Sequence, residues 1–154
     1  MERGIRLGID VGKVRIGVAQ SDPDGLLATP VSTVQRGVDE AYLSQLIELV
    51  SERECTVVYV GLPLSLSGEH TASTSDALAV AAALEAALSI PVRLVDERLS
   101  TVSAQAALHQ SGRNTKNSRS VIDQAAAVVI LQNALESERA QGVFPGKSPA
   151  SFSS

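Results

Sequence analysis

Apolar and polar positions change their period twice along the chain. From Arg3 to Val11, Ile5, Leu7 and Ile9 alternate with Arg6, Gly8 and Asp10, the period of a strand. Gly12-Lys13 predicts a tight turn, and Arg15 to Ser21 a second, antiparallel strand. Asp22-Pro23-Asp24-Gly25 is a turn signal, because proline fixes φ and glycine accepts positive φ. Leu26 to Val34 completes a three-stranded meander.

The period then becomes helical. Leu43, Leu46, Ile47 and Val50 share one face of a helix predicted over Asp39 to Glu54. "TVVYV", Thr56 to Val60, is short and β-branched, as a strand buried on both faces should be. A loop rich in hydroxyls follows, then an alanine-rich helix from Ser75 to Leu88 and a buried strand from Pro91 to Val95. Ser100-Thr101 is expected to cap a helix running to about Gln110, and a last helix starts near Ser120 and passes Leu135. Three antiparallel strands followed by right-handed crossovers predict an α/β fold, one mixed five-stranded sheet with helices packed on it. Residues 1–140 are read as a single domain. Residues 141–154, "QGVFPGKSPASFSS", have the composition of a loose tail.

Composition narrows the chemistry. With 154 residues and 44% hydrophobic residues the chain is long enough for one packed core. Aromatics are only 3%, so stacking platforms for bases are scarce. A net charge of -4 argues against a wholly electrostatic nucleic-acid binder but leaves room for a local basic patch. No apolar run approaches the roughly 20 residues that span a bilayer, and no signal-peptide pattern is visible. A cytoplasmic protein is the expectation. The single Cys55, at the head of an apolar strand, reads as a small buried hydrophobe.

Three acids fall at the ends of predicted elements: Asp10 ends the first strand, Glu97 follows the last, and Asp123 lies in the first turn of the last helix. Ligands of open sheets gather at the carboxyl ends of the parallel strands, where Asp10 and Glu97 both lie if the first strand runs parallel to the last two, and Asp123 joins them if the last helix begins over the same edge. Clustered carboxylates repel one another and need a cation to stay ionised together; hard oxygen donors suit Mg²⁺ or Mn²⁺. Such ions assist phosphodiester hydrolysis by stabilising the attacking and leaving oxygens. Lys13 and Arg15 would then meet phosphates, and Gly12 would admit the substrate backbone. Each acid also has an ordinary structural use. Asp before a glycine turn makes an Asx hydrogen bond, Asp123 suits a helix dipole, and Glu97 between Asp96 and Arg98 suits a surface ion pair. The convergence of all three favours the functional reading.

Residues 111–120, "SGRNTKNSRS", carry Arg113, Lys116 and Arg119 and no acid, a candidate phosphate-contacting loop in a net acidic chain. Ser65, Ser67, Thr71, Ser73 and Thr74 form a hydroxyl cluster that either contacts phosphates or is merely solvated. His70 and His109 have no metal-ligand spacing.

Four motifs in order, "GIDVGKVRIGVAQSD", "VGLPLSLSGEHTAST", "VDERLST" and "SVIDQAAAVVILQNAL", resemble the YqgF/RuvX family, described as pre-16S rRNA nucleases related to RuvC-type Holliday junction resolvases. The resemblance spans residues 4 to about 136. It implies a ribonuclease H-like fold and metal-dependent cleavage of structured nucleic acid, in precursor rRNA maturation or at branched DNA. On the family pattern Asp10, Glu97 and Asp123 are the catalytic metal ligands. Arg98 joins Lys13, Arg15, Arg113, Lys116 and Arg119 as nucleic-acid contacts. Monomer and homodimer both remain open. After "GLP" this chain has Leu64-Ser65-Leu66-Ser67, where the family often carries a basic or asparagine-bearing loop. Two rivals are an actin-like ATPase or sugar kinase, whose two-lobed cleft one short domain cannot build, and a non-catalytic nucleic-acid-binding module for ribosome assembly, against which the acidic triad speaks.

Overall fold

The computed structural model describes residues 3–37, 41–63, 71–96 and 118–149, without the side chains of 118–121. Five strands form one sheet: β1 (Arg6–Val11), β2 (Arg15–Ser21), β3 (Ala28–Gln35), β4 (Val57–Leu62) and β5 (Val92–Asp96), in the order β3-β2-β1-β4-β5. The β1–β2 and β2–β3 pairs are antiparallel, and β1–β4 and β4–β5 are parallel. The mixed five-stranded sheet expected from the sequence is therefore present. The described helices are α1 (Ala41–Arg53), α2 (Ala72–Ala87) and α3 (Ser118–Gln141). The helix expected from Ser100 to Gln110 lies outside the described residues.

The two faces of the sheet are packed differently. Leu7, Ile9, Ile16, Val18, Val58, Val60, Val92 and Leu94 point to the side covered by α1 and α2, where Leu46, Val50, Val80, Ala81 and Leu84 complete a core of branched side chains. The alternate positions meet α3, against Ala19, Ala28, Val57 and Tyr59 and the helix residues Ala127, Leu131, Ala134 and Leu135. This second layer is thinner because glycines stand in it. A Cβ on Gly8 would lie 2.6 Å from Leu131 Cβ and 3.1 Å from the Ala127 carbonyl oxygen. On Gly17 it would lie 2.0 Å from the Asp123 carbonyl oxygen. No real Cβ tolerates such a gap, so α3 lies on the sheet at a depth that only glycine permits.

The far end of α3 is held by charge. Arg6 and Glu138 are 0% and 2% exposed and form a two-pronged pair, Nε to Oε1 at 3.2 Å and Nη2 to Oε2 at 2.7 Å. Tyr59 donates its hydroxyl to Glu138 Oε1 at 2.9 Å, and Arg6 also donates to the carbonyls of Gly4 and Pro23. Burial and the carboxylate together push the Tyr59 hydroxyl well above its ordinary pKa. Gln132 and Arg139 reach across from α3 to the β2–β3 turn, where Gln132 accepts from the Ala28 N–H and Arg139 donates to the Gly25 carbonyl. That turn forms as the sequence indicates: Gly25 takes φ 68° and the Asp22 carboxylate accepts from the Leu26 and Leu27 N–H groups. The Leu27 N–H is the largest influence lowering the Asp22 pKa. Cys55 is buried, and desolvation pushes its thiol up to about 11.

Two segments differ from the sequence expectation. The helix expected from Ser75 begins at Ala72, because Thr71 is its N-cap: Thr71 accepts from the Thr74 N–H and Thr74 Oγ1 accepts from the Thr71 N–H at 2.9 Å. Thr74 is fully buried and donates to the Pro63 carbonyl. These two hydroxyls are thus used by the helix terminus rather than by phosphates. The segment after Gln141, expected to be a loose tail, is docked as far as Lys147. Leu94 and Lys147 exchange backbone hydrogen bonds of 2.7 and 3.0 Å at the open edge of β5, and the Phe144 ring meets Tyr59 edge-on at 6.4 Å. The β5 edge has unpaired backbone groups to satisfy, which composition alone does not reveal.

Glu138→Ala leaves the Arg6 guanidinium buried without its carboxylate, and a loss of about 3–5 kcal/mol is expected. Thermal melting checks it, with a fall in Tm of roughly 10 °C. Gly17→Ala is expected to cost at least the roughly 1–3 kcal/mol of ordinary overpacking, because the obstacle is α3 backbone rather than a flexible side chain. Denaturant unfolding measures it, and an unchanged midpoint would contradict the tight seating of α3.

Candidate active site

The parallel strands β1, β4 and β5 end at one edge of the sheet. Ile9 pairs with Val60 and Leu62 with Asp96, so the register continues a row from Asp10 through Gly61 to Val95. Gly8 faces α3, and Asp10, two residues on, faces the same side. The residue opposite Asp10 on β2 is Gly17, the position on which the Asp123 backbone rests. Adjacent strands lie about 4.8 Å apart. The seating of α3 on Gly17 therefore brings Asp123 to the same face and the same edge as Asp10, from more than a hundred residues away in sequence. Both carboxylates are half-buried.

Arg15 starts β2 on this face and donates from Nε to Asp123 Oδ2 at 2.9 Å. The sequence reading gave Arg15 to phosphates; in the structure its guanidinium is on the acid. Lys13 is exposed in the hairpin turn, as expected of a group that reaches outward. Gly12 has a different reason from the one its position suggested. A Cβ there would lie 2.6 Å from the Arg15 carbonyl oxygen, whose partner is the Gly12 N–H at 2.9 Å, so the hairpin itself requires the glycine.

One supporting residue escaped the sequence reading. Arg36, just past β3, donates to the Gly12 carbonyl at 2.8 Å and grips Asp76 of α2 with two bonds of 2.7 and 3.0 Å. Its backbone N–H reaches the Val14 carbonyl at 2.8 Å, and its guanidinium lies 4.9 Å over the Tyr42 ring. The hydrogen bonds that Arg36 donates to Asp76 are the largest influence raising the Arg36 pKa. Arg36 thereby ties the turn that carries Lys13 and Arg15 to α2. Only its isolation beside a predicted strand end hinted at it.

Glu97, Arg98, Arg113 and Lys116 lie outside the described residues, as do His70 and His109 and the side chain of Arg119. Asp96, the last residue of β5, alternates with Val95 and sits on the α1/α2 side with Leu94, away from Asp10. Among the described residues there is no group of three potential metal ligands. Asp10 and Asp123 are the two that converge, and a pair of carboxylates on one face is a donor set suited to a hard divalent cation. Among the described residues no helix is long and apolar enough to cross a membrane.

A profile of the RuvX family, described as Holliday junction resolvase, matches residues 4–137. A protein of Leifsonia xyli subsp. xyli named "Putative pre-16S rRNA nuclease" is 58% identical over 146 residues, covering 95% of this chain and 94% of that one. One of the same name from Nocardioides sp. is 50% identical, covering 96% and 97%. Among solved structures, T. thermophilus RuvC in complex with Holliday junction substrate superposes with a TM-score of 0.64 at 17% identity, covering 92% of this chain and 99% of that one, a likeness of fold. By the span of the family match and the identity of these relatives, the chain belongs to the RuvX Holliday junction resolvase family and is an enzyme of the nuclease class.

Proposed function

We propose that this nuclease is a divalent-metal-dependent endonuclease acting on structured nucleic acid, with 5' end maturation of precursor 16S rRNA as its physiological task. The observation that carries the reading is the convergence of Asp10 and Asp123 on the α3 face of the sheet, at the edge where the parallel strands end. The names of relatives at 50 to 58% identity support the choice of precursor rRNA. We assign Glu97, which follows β5 in the sequence, as the third carboxylate, on that sequence position. Mg²⁺ or Mn²⁺ held by these acids would supply charge stabilisation to the developing oxyanions of phosphodiester hydrolysis. The chain's own residues do the rest. The row from Asp10 to Val95 passes through Gly61, which has no side chain to fill the space between β1 and β5. Lys13 extends outward to receive a phosphate. Arg98, Arg113, Lys116 and Arg119 add phosphate contacts that position without reading sequence.

A second reading, resolution of branched DNA, is favoured by the description of the family as Holliday junction resolvase. Cleavage of precursor rRNA, a four-way DNA junction and a plain duplex side by side separates the two. Precursor rRNA is expected to be cut fastest, and faster cutting of the junction would replace the first reading by the second.

Asp10→Asn keeps the shape of the side chain and removes its charge. Cleavage is expected to fall by roughly 10³-fold or more with melting little changed. Near-normal turnover would remove Asp10 from the mechanism. Replacing Arg113, Lys116 and Arg119 together by Ala is expected to weaken binding of all sequences about equally and to flatten its salt dependence, because fewer counterions are released. A titration of binding against salt concentration measures both, and an unchanged slope would return this loop to solvent.

A further inference from the structure

Among the described residues, three arginine–carboxylate pairs that are at least partly buried tie distant parts of this chain together, and they are built differently. Arg6–Glu138 is two-pronged and buried, and Arg36–Asp76 is two-pronged, with side chains 17% and 30% exposed. Arg15–Asp123 runs through Nε to a single oxygen, with side chains 23% and 21% exposed. Two-pronged pairs are the geometrically locked ones, and burial makes separation expensive. A single-point, partly solvated pair is held weakly and can exchange partners. That weakest pair is the one at the candidate active site.

We propose that Arg15 is an exchangeable counter-ion. Without metal its guanidinium occupies the Asp123 carboxylate; when a divalent cation takes that carboxylate, the guanidinium is released to a phosphate of the nucleic-acid substrate. The proposal rests on the metal-site reading of Asp10 and Asp123 and adds to it a role for Arg15 as a positioning residue. The physical argument is competition. Asp123 Oδ2 already accepts the Arg15 N–H at 2.9 Å, so a cation that binds this oxygen must displace the guanidinium or share it against like-charge repulsion. A displaced arginine at the first residue of β2 stays tethered beside the site, because Gly12 and Arg15 close the hairpin through their backbones and Arg36 fixes the turn. Its planar fork matches phosphate oxygens. Metal and substrate then help each other: substrate that captures Arg15 clears Asp123 for metal, and metal that claims Asp123 frees Arg15 for substrate. Such coupling is reciprocal by thermodynamic necessity.

The test measures Mn²⁺ binding to the full chain by electron paramagnetic resonance of free Mn²⁺, with no nucleic acid present. Arg15→Gln is expected to bind Mn²⁺ about five- to tenfold tighter than the wild type, the range typical of such couplings. Lys13→Gln removes the same charge from the same turn without touching Asp123, and its Mn²⁺ affinity is expected to change less than about twofold, since exposed charges interact weakly through solvent. With Mn²⁺ bound, Arg15→Gln is also expected to bind a nucleic-acid duplex more weakly, with a salt slope lower by about one phosphate contact. Equal Mn²⁺ affinity in the wild type and Arg15→Gln would overturn the exchange and leave the metal site standing. Equal tightening by Arg15→Gln and Lys13→Gln would overturn it too, as an effect of overall charge. Mn²⁺ binding that Asp10→Asn and Asp123→Asn leave unaltered would overturn the metal-site reading itself. Circular dichroism of each variant confirms that the fold is retained.

Discussion

The structure depends on one steric constraint: α3 must lie almost directly on the backbone of β1 and β2. Gly8 and Gly17 make that possible, since Leu131 and the Ala127 carbonyl come down on the first and the Asp123 backbone on the second. The consequence is positional. A helix seated this deeply has little freedom to slide, so Asp123 in its first turns is held opposite Asp10, next to last in β1. The opposite face of the sheet carries no such demand, and it is filled with Leu, Ile and Val against α1 and α2.

The two ends of α3 are held by the same kind of bond in different surroundings. At the Glu138 end the ion pair is dry, with Arg6 and Glu138 close to fully buried and Tyr59 taking part. Breaking it would strand a charge in a medium of low polarity, so that end is an anchor. At the Asp123 end the pair is partly solvated and made through one nitrogen. Water can replace either partner there. Around this end the surroundings are stiffened instead: Arg36 ties the hairpin turn to Asp76 of α2.

Much of this was legible in the chain. Alternation of Leu7 and Ile9 against Gly8 and Asp10, the Asp-Pro-Asp-Gly turn and the β-branched run at Val57 determine strands, because each is a local pattern with a local cause. The boundaries of β2 and the mixed parallel and antiparallel sheet follow from them. Asp10 and Asp123 could be nominated because they sit at element ends. The start of α2 at Ala72 was harder, since a Thr71–Thr74 capping box looks in sequence like any polar loop. The docked segment up to Lys147 was harder still, because proline, glycine and serine describe a flexible chain until an unsatisfied strand edge is placed beside it.

What the sequence by itself determined, then, is the set of elements, their order and the acids at their ends, all properties of neighbours within a few residues. What only the tertiary structure decided is which distant groups touch. Nothing within ten residues of Gly17 says that its missing side chain makes room for Asp123, nor that Arg15 will spend its charge on that acid, nor that Arg36 will reach Gly12 and Asp76. Those contacts depend on how closely one helix approaches one sheet. That distance is set by the packing of both surfaces at once.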